Sequence, residues 1–164
     1  MLLMDADEII KLETIQWLKE NFEDDKIYYF DFKVYYYYLN LRKNEEWRCP
    51  LAMSFKKFKE TSFCIARNFI QPNSVVVPNS GWHFTYQGSV ANIKNKIESF
   101  GEQSLNLDWV KNGLSNNIAN AIKNGRDLYN RPCKFWVEPI TYATHPRYLV
   151  DNQEEFKDFI YEPE

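Results

Sequence analysis

The stretch IYYFDFKVYYYYL, residues 27–39, decides the fold class because its residues follow the pattern of a β-strand. Tyr, Phe and Val dominate it, and the charged residues Asp31 and Lys33 fall on one face, as alternation along a strand requires. The pattern predicts one long strand or two shorter ones. The four tyrosines 35–38 fill a core or form an aromatic wall on which a sugar or base stacks, and both roles are compatible because alternate rings face opposite sides.

Helical and strand-like patterns alternate on both sides of this stretch. Apolar residues at three- and four-residue steps over 9–22 predict an amphipathic helix, with Asp7 as its N-cap and Glu8 in its first turn. Residues 47–53 predict a short strand interrupted by a proline. Residues 75–86 predict a hairpin whose turn is formed by residues 78–81.

Helices dominate the predicted second half of the chain. One helix is expected from the N-cap Ser89 to Gly101, another from the cap Asn106 to Gly125, and a last one over residues 152–161. Residues 55–59 predict a brief helix or a solvated turn. Without an internal repeat or a linker, residues 1–164 are predicted to form a single α/β domain.

Composition excludes several classes of protein. The 164 residues are 45% hydrophobic and 26% charged, which is typical of a globular chain and not of a disordered one. A net charge of -3 gives no source for phosphate attraction, so nucleic acid is not expected as a partner. The absence of a signal peptide and of an apolar run of about 20 residues predicts a cytoplasmic chain with no membrane segment.

Two acidic residues and one histidine are the first candidates for chemistry. Asp5 and Asp7, spaced i, i+2 after an apolar strand, can share one hard divalent cation that grips a diphosphate, although acidic residues before a helix are also common as caps. His83 is either a ligand of the same cation or an ordinary core residue. His145, beside a proline, is interpreted as ordinary surface. The three cysteines stand far apart, which disfavours a thiolate zinc site.

Several motifs stand in order along the chain: DADEI at 5–9, YYYLN at 36–40 with Trp47 and Arg48, GWHFTY at 81–86 followed by IKNKIESF at 93–100, GRDL at 125–128, and PRYLVDN at 146–152. In content and order they resemble glycosyltransferase family 17, the β-1,4-mannosyl-glycoprotein β-1,4-N-acetylglucosaminyltransferase family. The resemblance covers nearly the whole chain, and its most specific block is the Gly-Trp-His segment with the lysine-containing helix after it.

This resemblance implies a fold and a reaction. The fold would be a partial GT-A-type α/β fold, a mixed sheet with flanking helices, truncated before the Asp-x-Asp motif. The reaction would be an inverting, metal-assisted transfer of a sugar, N-acetylglucosamine, from a nucleotide donor such as UDP-N-acetylglucosamine to a hydroxyl of a glycan acceptor. The chain would then be the metal and acceptor half of such an enzyme.

The resemblance also implies roles for individual residues. Asp5, Asp7 and His83 would hold Mn²⁺ or Mg²⁺. Glu102 and Asp127 are the candidate catalytic carboxylates, with the base left open between them. The candidate substrate-binding residues are Trp82, Tyr36, Tyr38, Trp47, Arg48 and Lys94.

Only four residues precede Asp5, whereas GT-A enzymes carry a nucleotide-binding half before this motif. We therefore expect little or no transfer by this chain alone, and either a partner chain or self-association through an exposed sheet edge. The alternative is a non-catalytic saccharide-binding or scaffold protein that keeps the aromatic strand.

Overall fold

A computed structural model describes residues 1–99 and 114–162 as an α/β protein with a mixed β-sheet and flanking helices, which confirms the predicted fold class. The strands are β1 (Leu2–Leu3), β2 (Glu8–Ile10), β3 (Ile27–Tyr36), β4 (Leu41–Trp47), β5 (Leu51–Met53), β6 (Ser74–Thr85) and β7 (Phe135–Val137). The helices are α1 (Leu12–Asn21), α2 (Phe55–Glu60), α3 (Phe63–Asn68), α4 (Val90–Ser99), α5 (Leu114–Lys123) and α6 (Arg147–Asp151), with a 3-10 helix at Gln153–Phe159.

Strand pairing gives the sheet its order. The strands follow β1-β5-β3-β4-β7, and β6 pairs with both β3 and β2. The β1–β5, β3–β5, β2–β6 and β4–β7 pairs are antiparallel. In the β2–β6 pair Glu8 lies opposite His83, so this ladder brings the acidic motif to the Gly-Trp-His segment.

The chain divides into two compact units, and three strands, β3, β4 and β6, pass from one to the other. Unit 1 comprises residues 1–34 and 45–83, and unit 2 comprises residues 35–44 and 84–164. In unit 1, β3 is buried on both faces because Ile27 and Tyr29 join one apolar cluster while Tyr28, Phe30 and Phe32 join another. Burial on both faces explains the near-continuous apolar sequence of this strand.

Unit 2 contains the two predicted helices that the structure confirms most directly. In α4 the side chains of Ile93 and Ile97 are buried, and the Ser89 hydroxyl accepts a hydrogen bond of 3.3 Å from a main-chain N–H of the first turn. In α5 Ile118 is fully buried, and Gly125 follows the helix with φ of 55°, the left-handed conformation expected of a C-terminal stop. The predicted cap Asn106 lies outside the described residues.

Helix α1 forms, but not as its sequence pattern predicts. Its N-cap is Lys11 and not Asp7, because residues 8–10 pair with β6 as strand β2 before the helix begins. Leu12, predicted to face the core, is 65% exposed, whereas Trp17 and Leu18 pack on the core. A short strand in place of the first helical turn changes which residues point inward.

Three other predictions are corrected by the structure. The prediction of a hairpin over 75–86 is wrong, because β6 continues through these residues as one strand. Asn79 adopts a φ of 50° within the turn-like sequence, but the chain does not reverse there. The strand over 47–53 is divided between the end of β4 and β5. The helix over 152–161 is instead the 3-10 helix that follows α6. Strand β4, which the sequence analysis did not predict, contains charged residues at most positions.

Candidate functional site

The acidic motif forms a tight turn between β1 and β2. The main-chain N–H of Asp5 donates to a carboxylate oxygen of Glu8 at 2.7 Å, and the N–H of Glu8 donates back to the Asp5 carbonyl at 3.2 Å. This reciprocal bonding orients the loop that carries Asp5 and Asp7. The Glu8 carboxylate is therefore held by the loop's own backbone.

His83 contacts this loop. Its Nε2 lies 3.3 Å from Oδ2 of Asp7, although the two residues are 76 positions apart in sequence. The imidazole is 7% exposed, and its Nδ1 is buried without a hydrogen-bond partner among the described residues. A buried polar atom left without a partner is unfavourable in a folded protein, so this nitrogen is an unusual feature of the site.

Trp47 and Glu8 complete the surroundings of His83. The Trp47 ring lies over the imidazole with its centroid 4.6 Å away, and its indole N–H donates to the Glu8 carboxylate. Burial raises the pKa of Glu8, although the hydrogen bonds from Asp5 and Trp47 oppose that shift. The sequence pattern predicts Glu8 in a helical turn and gives no sign of this role, which depends on the strand pairing of β2.

Asp5 has a different partner from Asp7. Its carboxylate forms an ion pair with Arg67, which follows it by 62 positions and belongs to α3. Within residues 1–99 and 114–162, no group of three or more His, Cys, Asp or Glu side chains is arranged to hold a metal ion. The predicted ligands are thus partly together: Asp7 contacts His83, while Asp5 is occupied by a guanidinium.

Two further predicted residues of unit 1, Trp82 and Arg48, have partners outside the acidic motif. Trp82 is buried next to His83 in β6, and because neighbouring strand residues point to opposite faces, its ring lies on the other face, where the Lys11 ammonium is 5.3 Å from its centroid. Arg48 makes a two-pronged ion pair with Asp31 of β3, one bond of which measures 3.1 Å. Its side chain is about half exposed.

Unit 2 holds the remaining predicted residues. Tyr36 is buried, and burial raises its pKa well above the usual tyrosine value. The half-buried Tyr38 has its ring centroid 5.3 Å from that of Tyr161. Lys94 is partly exposed and lies 3.8 Å from Glu98, one helical turn further along α4.

Asp127 is the most highly bonded of the candidate carboxylates in the described part of the chain. Lys43 donates to it at 3.1 Å, Arg131 donates at 2.7 and 3.0 Å, and the Tyr129 N–H donates at 2.8 Å. Burial by itself raises the pKa of Asp127, but these donors together outweigh burial and the net shift is downward. A fully bonded carboxylate with a lowered pKa is a poor proton acceptor.

Arg131 also bonds the hydroxyl of Tyr36 at 3.4 Å, so the structure brings two predicted residues, Tyr36 and Asp127, into one cluster. The sequence analysis missed Lys43 and Arg131. The i, i+4 spacing of Asp127 and Arg131 could have indicated that Arg131 pairs with Asp127. Nothing in the sequence indicates Lys43, because it reaches Asp127 only through the tertiary fold.

The last two predictions have different outcomes. Glu102 lies outside the described residues. His145 is not surface, as predicted, but almost completely buried: its Nε2 bonds the Leu39 carbonyl at 3.0 Å and its ring packs 4.8 Å from Tyr35.

Comparison with known proteins adds no relative: no protein-family model, curated protein or solved structure matches the chain significantly. Among the described residues, none of the helices is long and apolar enough to cross a membrane.

Proposed function

We propose that this chain is a glycosyltransferase-like protein of the GT-A type that, together with a partner chain, transfers N-acetylglucosamine from UDP-N-acetylglucosamine to a hydroxyl of a glycan. The proposal rests on the resemblance of its motifs to glycosyltransferase family 17. The observation that carries it is the contact between Asp7 and His83, because it joins the two most informative motifs across 76 residues.

The residues of this contact are suited to a divalent cation. Mg²⁺ and Mn²⁺ hold their ligands at about 2.0–2.2 Å in octahedral geometry, so two neighbouring ligands are about 2.8–3.1 Å apart. The 3.3 Å between Nε2 of His83 and Oδ2 of Asp7 is a few tenths of an ångström longer, so a small side-chain shift would bring both atoms into that range. Asp7 and His83 would hold Mn²⁺ or Mg²⁺, joined by Asp5 once its carboxylate leaves Arg67. When bound, the cation would neutralise the charge of the departing diphosphate.

The chain's own side chains supply the remaining functions. Trp47 packs on His83 and would fix the direction of the imidazole, while Glu8 holds the indole of Trp47 by its N–H. In the transfer, the bond from the anomeric carbon to the diphosphate breaks, the acceptor oxygen bonds to that carbon, and a carboxylate takes the acceptor proton. The bonding of Asp127 disfavours it as this base, which leaves Glu102 as the candidate to test.

The test is calorimetric titration of the purified chain with UDP-N-acetylglucosamine, with and without manganese. We expect donor binding that requires manganese, and at least a tenfold loss of manganese affinity in Asp7→Asn, in keeping with the effect of disturbing metal ligands. Asp24→Asn, which removes an exposed carboxylate elsewhere in unit 1, is the matched control and should bind as the wild type does. Equal manganese affinity in Asp7→Asn and the wild type would contradict the proposal.

A second candidate function is saccharide binding without transfer. The ion pair between Asp5 and Arg67 favours it, because a guanidinium already neutralises one of the two carboxylates that the cation would need. Binding of a glycan without manganese, together with no donor hydrolysis when manganese is added, would favour this candidate over the transferase.

A further inference from the structure

Residues 54–70 present an unusual number of large apolar side chains to solvent. This segment contains α2, α3 and the residues on either side of them, and we call it the α2–α3 patch. Its exposed apolar residues have between 44% and 66% of their surface accessible, and they are Phe55, Phe63, Ile65, Phe69 and Ile70. Exposed apolar groups at this density mark an interaction surface.

The exposure is built into the fold and does not come from a loose segment. Phe58 of α2 and Ala66 of α3 pack inward on the apolar cluster of unit 1. The buried Tyr29 hydroxyl hydrogen-bonds the main-chain oxygens of Ala66, at 2.9 Å, and Phe69, at 3.2 Å. Because the inward side of each helix is already packed, the remaining large side chains are held outward.

The charge of the α2–α3 patch is opposite to that of the whole protein. Residues 54–70 contain four basic side chains and one acidic one, whereas the complete chain has a net charge of -3. Lys56 and Lys59 are exposed and Lys57 is half-buried, and the Lys59 ammonium lies 4.7 Å from the centroid of the exposed Phe55 ring. Cations and aromatic rings therefore lie side by side on this surface.

We propose that the α2–α3 patch docks the protein on an anionic membrane surface. Side chains that combine lysines with exposed phenylalanine and isoleucine are those that bind at the boundary between lipid headgroups and acyl chains. A second copy of the chain is disfavoured as the occupant, because a symmetric contact would place one basic patch against another. A fluid lipid surface also accepts separate protruding side chains, whereas a protein partner would need a matching pocket for each.

The expected size of the effect follows from the charges. Each lysine near an anionic surface contributes about 1 kcal/mol, which is roughly fivefold in the partition coefficient, so removing three should cost on the order of a hundredfold. The attraction acts within about one Debye length, roughly 8 Å at physiological salt, so added salt should weaken binding.

The test is co-sedimentation of the whole chain with vesicles of phosphatidylcholine alone and of phosphatidylcholine mixed with phosphatidylserine. We expect salt-sensitive binding to the mixed vesicles only, and a loss on the order of a hundredfold in the triple variant K56Q/K57Q/K59Q. The triple variant K19Q/K123Q/K134Q removes the same charge from exposed lysines elsewhere and should bind as the wild type does.

Apolar insertion is tested separately. Phe69→Ser should weaken vesicle binding severalfold, while Leu12→Ser, at a residue of matching exposure on α1 (65% against 66%), should not. No binding of the wild type to mixed vesicles overturns the proposal, as does equal binding by the patch and control variants. Binding that responds to the lysines but not to Phe69 would overturn insertion of the apolar side chains, because it would show adsorption to the lipid surface by charge alone. Light scattering that shows a dimer dissociated by Phe69→Ser would identify a second copy as the occupant.

Discussion

Replacement of Asp127 by asparagine gives the sharpest test of how unit 2 is held together. The variant keeps the shape of the side chain but removes its charge, while Lys43, whose side chain is 3% exposed, stays in place. A buried ammonium without its partner is costly, and breaking one side of a buried ion pair destabilises a protein by about 3–5 kcal/mol. Against a total stability of about 5–15 kcal/mol for a folded protein, this loss would be severe.

The measurement is the free energy of unfolding from urea denaturation, followed by fluorescence. Asp127→Asn should lower it by about 3–5 kcal/mol. The double variant Asp127→Asn with Lys43→Met should recover much of the loss, because it also removes the buried Lys43 charge and leaves only the half-exposed guanidinium of Arg131. Asp151→Asn, which breaks an exposed i, i+4 pair with Arg147, is the control and should change little.

The result that would refute this reasoning is an Asp127→Asn variant within about 1 kcal/mol of the wild type, since that change is the size expected for a solvent-screened pair. It would show that water or a rearranged side chain compensates the Lys43 charge. If in addition the variant lost transfer activity while it remained stable, Asp127 would regain its place as a candidate base.

Three further predictions concern stability. Because the pKa of Asp127 is lowered in the fold, its contribution to stability is present at neutral pH and is lost as the pH falls below about 4. The free energy of unfolding should therefore fall less steeply with decreasing pH in Asp127→Asn than in the wild type, and an identical pH dependence of the two would contradict this. Gly81→Ala would place a methyl group against the Ile9 carbonyl and 2.6 Å from the Phe32 ring. It should lower stability by about 1–3 kcal/mol, measured by thermal denaturation, whereas an unchanged melting temperature would show that the β2–β6 ladder can shift. Tyr29→Phe removes the hydroxyl that donates to two main-chain oxygens of the α2–α3 patch. It should lower the free energy of unfolding, measured by urea denaturation, by about 1–3 kcal/mol, and an unchanged value would mean that packing alone holds the patch.

The local sequence pattern predicts best those helices and strands in which the spacing of apolar residues agrees with the side chains that the fold buries. Helices α4 and α5 were predictable because three- and four-residue spacing records which side of a helix meets the core. Strand β3 was predictable because a run of Tyr, Phe and Val favours a strand. Strand β4 was not predictable, because its charged residues give it no apolar face, and the buried Lys43 pairs with Asp127, which is distant in sequence. The prediction of a hairpin over 75–86 was wrong because the turn-forming residues there only favour a chain reversal, and pairing with neighbouring strands overrides that preference.

For the candidate site, the sequence by itself supplied the residue types and the tertiary structure decided their partners. The motif around Asp7 and the histidine at 83 could both be recognised as candidate ligands, but nothing local to either predicts a distance between them. That distance depends on the register of β2 against β6, which hydrogen bonding between distant segments sets. Other long-range contacts pair Asp5 with Arg67 of α3 and bring the Trp47 indole to Glu8, and neither contact can be read from the sequence next to those residues.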